Sequence, residues 1–269
     1  MPGLLYGTAW KKEDTERLVG LAIRAGFRGF DTACQPKHYN EPAVGAAVTA
    51  AIATGIPRAD LYLQTKYTPV SGQDPARLPY DPSAPPALQV RQSLEASLRN
   101  LATPYVDCLI LHSPLSSAAA TLEVWRAMES VVSEAGALTL GISNCYEPAS
   151  LHLLWEAARI KPVALQNRFY AATGYDRELR AYCRTHAVVY QSFWTLTANP
   201  HLLAHPLIEQ LAAAQGRTPA QILFRYLSQL GIVPLTGTTS AAHMREDLDI
   251  FTFELTAAQC AHLESLFPA

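Results

Sequence analysis

The stretch from Gly26 to Glu41, GFRGFDTACQPKHYNE, brings four side chains that can hold or release a proton into one short span: Asp31, Lys37, His38 and Tyr39. A carboxylate, an amine, an imidazole and a phenol are groups that general acid–base catalysis uses. Each of them also occurs in ordinary polar loops. Which of the four do chemistry therefore depends on the elements that position them.

Eight short apolar segments have the length and composition of β-strands: LLYGT, GFRGFD, LYLQTK, VDCLILH, LTLGIS, VALQN, VVYQS and GIVPL. They are apolar throughout, which is typical of parallel strands that are buried on both faces. Seven longer segments rich in alanine and leucine lie between or after them and have helical patterns. This alternation predicts an α/β fold, a single (β/α)8 barrel that spans residues 1–269.

A doubly wound open sheet is the alternative fold. Such a sheet would most often carry a glycine-rich phosphate loop after an early strand, and neither GxGxxG nor GxxxxGK[ST] occurs. One segment, residues 67–86, interrupts the alternation and is rich in proline and serine. A loop of this length in a compact domain is usually a lid or a binding loop, so we expect it beside the site.

Polar residues stand where the predicted strands end. In order along the chain they are Asp31, Lys66, His112, Ser143, Asn144, Gln166 and Asn167. The loops that follow the strands of such a barrel form its active-site face. We therefore expect these groups to converge on one rim, although any one of them alone could be a structural residue.

The composition excludes several classes of protein. Hydrophobic residues make up 49% and charged residues 16%, which allows a large core and argues against disorder. The net charge of −2 and the lack of a basic run argue against a nucleic-acid partner. We expect no membrane segment and no signal peptide, hence a cytoplasmic protein. Five scattered cysteines without a CxxC pair predict reduced thiols and no metal site.

The chain resembles the aldo-keto reductase family. The family's early signature, G-[FY]-R-x-x-D-[ST]-A-x-x-Y-x-N-E, is matched by GFRGFDTACQPKHYNE with two extra residues between Asp31 and Glu41. The segments TK, LHSP, GISN, LQN and LDIFTFELT then follow in the family's order, so the resemblance covers nearly the whole chain. It implies an NAD(P)H-dependent oxidoreductase that reduces a small-molecule aldehyde or ketone to an alcohol.

The resemblance also implies a catalytic tetrad, namely Asp31, Tyr39, Lys66 and His112. In the family's chemistry the tyrosine donates a proton, the lysine favours its phenolate, the aspartate holds the lysine and the histidine orients the carbonyl. Tyr39 is our choice of acid, and Tyr67 is the alternative because the loop before Tyr39 is longer. Lys37 and His38 are then interpreted as loop residues.

Cofactor-binding residues are implied in the same way. Ser143, Asn144 and Gln166 are expected at the nicotinamide carboxamide, Tyr190 (with Trp194 as an alternative) on the nicotinamide ring, and Ser192 and Phe193 along the pyrophosphate. The last loop before a helix contributes Thr236, Gly237, Thr238, Thr239, Ser240 and His243. A helix N-terminus there suits a phosphate.

One part of this loop departs from the family's pattern. Many relatives hold the 2′-phosphate of NADPH with a lysine and an arginine, and Gly237 and His243 stand at those positions, with Arg245 nearby. NADPH is the expected cofactor, and NADH is the alternative.

Trp10, Tyr67 and Trp194 are interpreted as apolar walls of the substrate site. Because the chain ends soon after Phe267, we expect the 67–86 loop to supply part of the pocket wall. The expected assembly is a monomer or a weak homo-oligomer. A catalytically silent subunit that binds a nicotinamide cofactor is the alternative function, and a barrel isomerase without cofactor is a third.

Overall fold

Eight parallel strands close into a barrel in the computed structural model, which describes residues 1–133 and 136–267. The strands are β1 (Leu5–Gly7), β2 (Gly29–Asp31), β3 (Tyr62–Tyr67), β4 (Val106–Leu111), β5 (Ala137–Ser143), β6 (Ala164–Arg168), β7 (Val189–Phe193) and β8 (Val233–Thr236). Each strand pairs with the next along the chain, and β1 closes the barrel against β8. The predicted (β/α)8 barrel is confirmed.

Helices surround the barrel in the described residues. They are α1 (Thr15–Ala25), α2 (Glu41–Ala53), α3 (Pro86–Leu101), α4 (Ala118–Ser133), α5 (Pro148–Ala157), α6 (Arg177–Thr185), α7 (Pro200–Leu203), α8 (Pro206–Gln215), α9 (Pro219–Gln229), α10 (Ala241–Leu248) and α11 (Ala257–Glu264). Four of them, α2, α7, α8 and α10, are not among the seven segments that the sequence pattern predicts. In α2, alanine, valine and glycine occupy nearly every face, so the 3.6-residue period is hidden.

The start of α2 holds the loop that carries the early signature. The Asn40 side chain accepts a hydrogen bond from the Ala43 amide and so caps the helix. The buried Glu41 carboxylate accepts hydrogen bonds from Thr65 on β3 and Ser97 on α3. Burial raises the pKa of Glu41, while these hydroxyl donors oppose that change. The end of the signature is therefore an anchor that ties the loop to two neighbouring elements.

The core is continuous from the barrel interior to the helix layer. Its largest fully buried side chain, Trp125 on α4, donates its indole N–H to the Ile160 carbonyl. All five cysteines are free, and four of them are buried. In the part of the chain that the structure describes, no helix combines the length and apolar character needed to cross a bilayer.

Glycine at position 45 allows α2 to approach α3. A Cβ added there would lie 2.1 Å from the Asn100 carbonyl oxygen and 2.8 Å from the Leu101 Cα, so backbone atoms would have to move. We expect Gly45→Ala to lower the free energy of unfolding by about 1–3 kcal/mol or more, measured by urea titration. Gly20→Ala in α1 is the matched control, because its Cβ meets only the flexible end of Arg24. Equal stability of the two variants would contradict close α2–α3 packing.

Candidate active site

A buried ion pair forms the floor of the site. The Lys66 ammonium at the end of β3 donates hydrogen bonds of 2.7 Å to both Asp31 carboxylate oxygens and one of 2.8 Å to the Thr32 carbonyl. The two side chains are only 1% and 4% exposed. The side-chain amides of Gln64 and Gln166 also donate to Asp31. Buried charges need such complete pairing, so the position of the ammonium is strongly constrained.

Burial by itself would lower the pKa of Lys66, because a low dielectric disfavours the ammonium. The Asp31 carboxylate and the Tyr39 phenol act in the opposite direction and leave the pKa of Lys66 raised. Lys66 therefore carries a permanent positive charge at neutral pH. The site contains a fixed cation beneath its polar residues.

Tyr39 lies directly above this cation. Its ring centroid is 5.1 Å from the Lys66 Nζ atom, and the edge of the ring faces His112 with centroids 6.1 Å apart. The amides of His38 and Tyr39 both donate to the Gln35 carbonyl. This turn accommodates the two extra residues of the loop, and Tyr39 still faces Lys66.

The pKa of Tyr39 is raised above its ordinary value. Burial is the largest cause, Lys66 lowers the pKa and Asp31 raises it. Lys66 thus offsets the effect of burial on the Tyr39 pKa only in part. The phenol remains protonated at neutral pH and can serve as a proton donor.

His112 at the end of β4 completes the group. Its Nδ1 atom is 2.7 Å from the Thr68 hydroxyl. Burial, together with the positive charge of Lys66, lowers the pKa of His112 to about 3. The imidazole is therefore neutral at physiological pH. A neutral imidazole carries its proton on one nitrogen, and the Thr68 hydroxyl can either donate to Nδ1 or accept from it.

This low pKa has a consequence for acid stability. In the unfolded chain a histidine protonates near its ordinary pKa of 6.5, whereas His112 in the folded protein stays neutral down to about 3. The unfolded state thus binds the extra proton first, and stability falls as the pH falls through that window. We expect the wild type to lose more unfolding free energy than His112→Gln between about pH 7 and about pH 4, measured by urea titration. Parallel losses in both proteins would contradict a depressed pKa of His112.

A cavity of about 1020 Å³ opens above the ion pair, on the side where the strands end. Its floor includes Asp31, Tyr39 and His112. Its walls come from β6, from the loops after β1, β2, β5, β7 and β8, and from the start of α9 and α10. The volume is at the upper end of the range for small-molecule sites. The cavity is large enough for an extended cofactor together with a small substrate.

Eight of the residues predicted to bind a cofactor line this cavity: Ser143, Asn144, Gln166, Phe193, Thr236, Gly237, Thr238 and His243. Asn144 adopts a left-handed backbone conformation and donates its side-chain amide to the His112 carbonyl. The Ser143 hydroxyl donates to the Gln166 carbonyl. These contacts join the ends of β4, β5 and β6 into one polar wall.

Tyr190 is not in the cavity, and its predicted stacking role is corrected. Its ring is buried in the barrel wall, where the hydroxyl donates to Asp176 at 2.9 Å. Ser192 is also buried, and its hydroxyl accepts from Thr195. The cavity wall after β7 consists of Phe193, Trp194 and the residues that follow them. Tyr190 and Phe193 are three residues apart on β7, so their side chains lie on opposite faces of the strand and only Phe193 faces the cavity.

Tyr67 and the 67–86 loop also lie elsewhere. The Tyr67 hydroxyl donates to Gln89 on α3, and its ring packs against Tyr80, so Tyr67 is neither a pocket wall nor an alternative acid. The loop is fastened to the neighbouring β2 loop, for example through the Gln73 amide and the Cys34 carbonyl. No residue from 67 to 86 is among the described residues that line the cavity.

Trp10 and Trp194 line the cavity. Both have left-handed backbone conformations, and both are about half exposed at its mouth. Thr239 and Ser240 lie in the loop before α10 but outside the cavity wall, where Ser240 caps the helix by accepting from the His243 amide. Arg245 lines a separate cleft beside α1.

Several cavity residues were not predicted from the sequence, and three of them are basic: His38, Lys11 and Arg168. His38, interpreted as a loop residue, lines the cavity and stacks on Trp10 with ring centroids 3.7 Å apart, whereas Lys37 is exposed. Lys11 reaches across from the β1 loop and donates to the Gly237 carbonyl. Arg168 at the end of β6 lines the cavity as well. Its position two residues after Gln166 on the same strand was the available signal, because such residues share a face.

Known proteins resemble this chain over almost its full length. The model of the Aldo/keto reductase family matches residues 4–267. An aldo-keto reductase of Mycobacterium marinum is 31% identical over 258 residues, which are 96% of this chain and 84% of the relative. The crystal structure of an aldo/keto reductase from Brucella melitensis superimposes with a TM-score of 0.82 at 27% identity and covers 99% of this chain and 95% of its own.

An aldo-keto reductase of the silkworm Bombyx mori gives a TM-score of 0.83 at 26% identity and covers 98% of this chain and 84% of its own. The structure of an aldo-keto reductase complexed with NADPH gives a TM-score of 0.81 at 24% identity, with 98% and 84% covered, and supports the fold alone. The chain belongs to the aldo/keto reductase family. Members of this family are oxidoreductases that reduce small carbonyl compounds with NAD(P)H.

Proposed function

We propose that the protein reduces aldehydes or ketones to alcohols, with Tyr39 as general acid. The observation that carries this proposal is the convergence of Tyr39 and His112 above the buried Lys66–Asp31 pair, on the floor of a cavity that can hold cofactor and substrate. Hydride addition to a carbonyl carbon leaves an alkoxide oxygen that requires a proton. The four residues supply that proton and stabilise the charge that precedes its transfer.

Each side chain has a distinct role in this mechanism. The His112 Nε2–H donates a hydrogen bond to the carbonyl oxygen and orients it toward Tyr39. The Tyr39 phenol then transfers its proton to the oxygen as negative charge develops there. Lys66 stabilises the resulting phenolate, and Asp31 keeps the ammonium in place. Bound NAD(P)H supplies the hydride.

The residues of the cavity fit a nicotinamide cofactor. Ser143, Asn144 and Gln166 form an amide-rich wall at the closed end, where a carboxamide would be held. Trp194 supplies an aromatic surface in place of Tyr190. The α10 N-terminus, with Thr238 and the Lys11 ammonium beside it, suits a phosphate.

The direct test is oxidation of NADPH and NADH, followed by absorbance, with an activated aromatic aldehyde as substrate. The proposal requires turnover with at least one cofactor and formation of the alcohol. Cofactor binding, detected by fluorescence quenching, without any turnover would favour the alternative of a catalytically silent subunit. The two-residue insertion before Tyr39 is the feature that motivates this alternative. No binding of either cofactor would contradict both. Monomeric or weakly oligomeric assembly and a cytoplasmic location remain part of the proposal.

Cofactor choice depends on the loop from Thr236 to His243. Gly237 and His243 are exposed, and the nearest cation is Lys11 rather than a charge on the loop itself. A charge-assisted hydrogen bond contributes about 1.5–3 kcal/mol, which is roughly ten-fold or more in affinity. We expect a smaller preference for NADPH over NADH than in relatives that hold the 2′-phosphate with both a lysine and an arginine. This pair is called the phosphate clamp below.

Restoring the phosphate clamp tests this expectation. We predict that Gly237→Lys with His243→Arg tightens NADPH by about ten-fold or more and leaves NADH nearly unchanged, measured by fluorescence titration. A Cβ at position 237 meets the Lys11 Nζ atom at an ordinary 3.4 Å, so a side chain can begin there without a clash. The control is Gly237→Gln with His243→Gln, which adds bulk without charge. A wild type that already prefers NADPH by thousands-fold, with no gain in the variant, would contradict the assignment of this loop.

A further inference from the structure

Arg168 is a cation in the cavity whose guanidinium has no acidic partner among residues 1–133 and 136–267. None of the ion pairs there includes it. The carboxylates that line the same cavity are Asp31, which is bound to Lys66, and Glu246 and Asp247 on α10, beyond β8. Because a partly buried charge without a counter-charge is costly, this arrangement points to a ligand that brings a negative group.

The guanidinium is held in place by aromatic rings. Its central carbon lies 4.2 Å from the ring centroid of Trp194 and 5.3 Å from that of Tyr170. Such stacking engages the faces of the guanidinium and leaves its edge, which carries the N–H donors, available. One donor, the Nε–H group, is buried and has no hydrogen-bond partner. A positioned, unsatisfied donor is a second indication of a missing acceptor.

The strand register places Arg168 near the reacting groups. Gln166, two residues earlier on β6, donates to Asp31 at 2.9 Å on the floor of the site. Residues two apart on a strand share a face, and the step between them is about 6.6 Å. The Arg168 amide also donates to the Tyr146 hydroxyl, which in turn donates to Asn144. Arg168 therefore stands one step above the polar floor, in the wall that contains Asn144.

We propose that Arg168 binds an oxyanion group of a ligand in this cavity through the edge of its guanidinium. This inference rests on the proposed reductase function, in which the oxyanion has two sources. One is a carboxylate carried by the carbonyl substrate, which would make acidic aldehydes or ketones the preferred substrate class. The other is the diphosphate that NADPH and NADH share. Both present the planar or tetrahedral oxygens that arginine binds in a bidentate manner.

The test compares wild type with Arg168→Gln and Arg168→Lys. The substrates are para-carboxybenzaldehyde and its methyl ester, which differ in charge but little in shape, and dissociation constants are measured for NADPH and NADH. If Arg168 binds a carboxylate of the substrate, Arg168→Gln should lower kcat/KM for the acid by about ten- to one-hundred-fold and leave kcat/KM for the ester unchanged. If Arg168 binds the cofactor diphosphate, Arg168→Gln should weaken the binding of NADPH and NADH equally and leave the acid-to-ester ratio of kcat/KM unchanged. Arg168→Lys should recover part of either effect, because the charge remains and the planar fork is lost.

Two results would overturn the inference. In the first, Arg168→Gln keeps the wild-type ratio of kcat/KM for the acid and the ester, and it also keeps the wild-type affinities for NADPH and NADH. The other is an equal fall in turnover for both aldehydes with unchanged cofactor binding, which would show that Arg168 only positions Trp194. Arg217→Gln is the control, because Arg217 also packs on an aromatic ring, Phe253 at 4.9 Å, but does not line the cavity.

Failure of the reductase function would be recognised separately. In that case the wild type would reduce neither aldehyde. The titrations with NADPH and NADH would still give dissociation constants, because they do not depend on turnover. Calorimetric binding of terephthalate, compared with its neutral dimethyl ester, needs no turnover and examines the carboxylate source directly. Binding of terephthalate by the wild type that is lost in Arg168→Gln would support the oxyanion site even without catalysis. Equal binding of terephthalate by both proteins would exclude the carboxylate source.

Discussion

Replacement of Lys66 by methionine is expected to lower kcat by about two to three orders of magnitude while NADPH still binds. Lys66 is the buried cation beside Tyr39, and its charge lowers the pKa of that phenol. Methionine retains much of the volume but none of the charge, so the phenolate formed on proton transfer loses its stabilisation. Single-turnover kinetics with saturating NADPH measure the chemical step itself.

The control for Lys66→Met concerns stability. Removing Lys66 leaves the Asp31 carboxylate buried without its partner, and breaking such a pair costs about 3–5 kcal/mol. The double variant Lys66→Met with Asp31→Asn removes both charges and should recover stability without recovering turnover. Asp31→Asn alone should be milder, because its amide oxygen can still accept from Lys66. A larger loss in Asp31→Asn than in Lys66→Met would contradict the assigned roles.

Replacement of Tyr39 by phenylalanine is expected to abolish most turnover, on the scale of about 10²–10⁴-fold for loss of a general acid. Only the hydroxyl is removed, so the ring still packs beside His112 and cofactor affinity should change little. The measurements are steady-state reduction of an aromatic aldehyde and NADPH titration.

Tyr67→Phe is the matched control for Tyr39→Phe. It removes a hydroxyl from the residue next to Lys66, but that hydroxyl donates to Gln89 outside the cavity. Turnover of this variant should be close to that of the wild type. Near-normal activity of Tyr39→Phe would assign the proton to another donor, and His38, which lines the cavity, would be the next to examine.

The local sequence determined the barrel and most of its floor. Strands that are apolar throughout are typical of buried parallel sheets, and eight of them alternating with helices predicted the closed barrel that the structure shows. Asp31, Lys66 and His112 stand at the ends of β2, β3 and β4, so their convergence follows from the topology. Residues at strand ends were predictable because the strand itself fixes where its last side chain lies.

Only the tertiary structure decided which loop residues reach the cavity. Tyr190 and Tyr67 are suitable in type, but the strand geometry directs them into the wall and toward α3. Lys11 gave no such signal, because its contact is with Gly237, which is distant in sequence. The strand period indicates which face Arg168 shares with Gln166, but only the tertiary structure shows that its guanidinium packs on Trp194. A loop's direction depends on hydrogen bonds and packing with other elements. The chain's own pattern determines its strands, but long-range contacts determine the walls of its site.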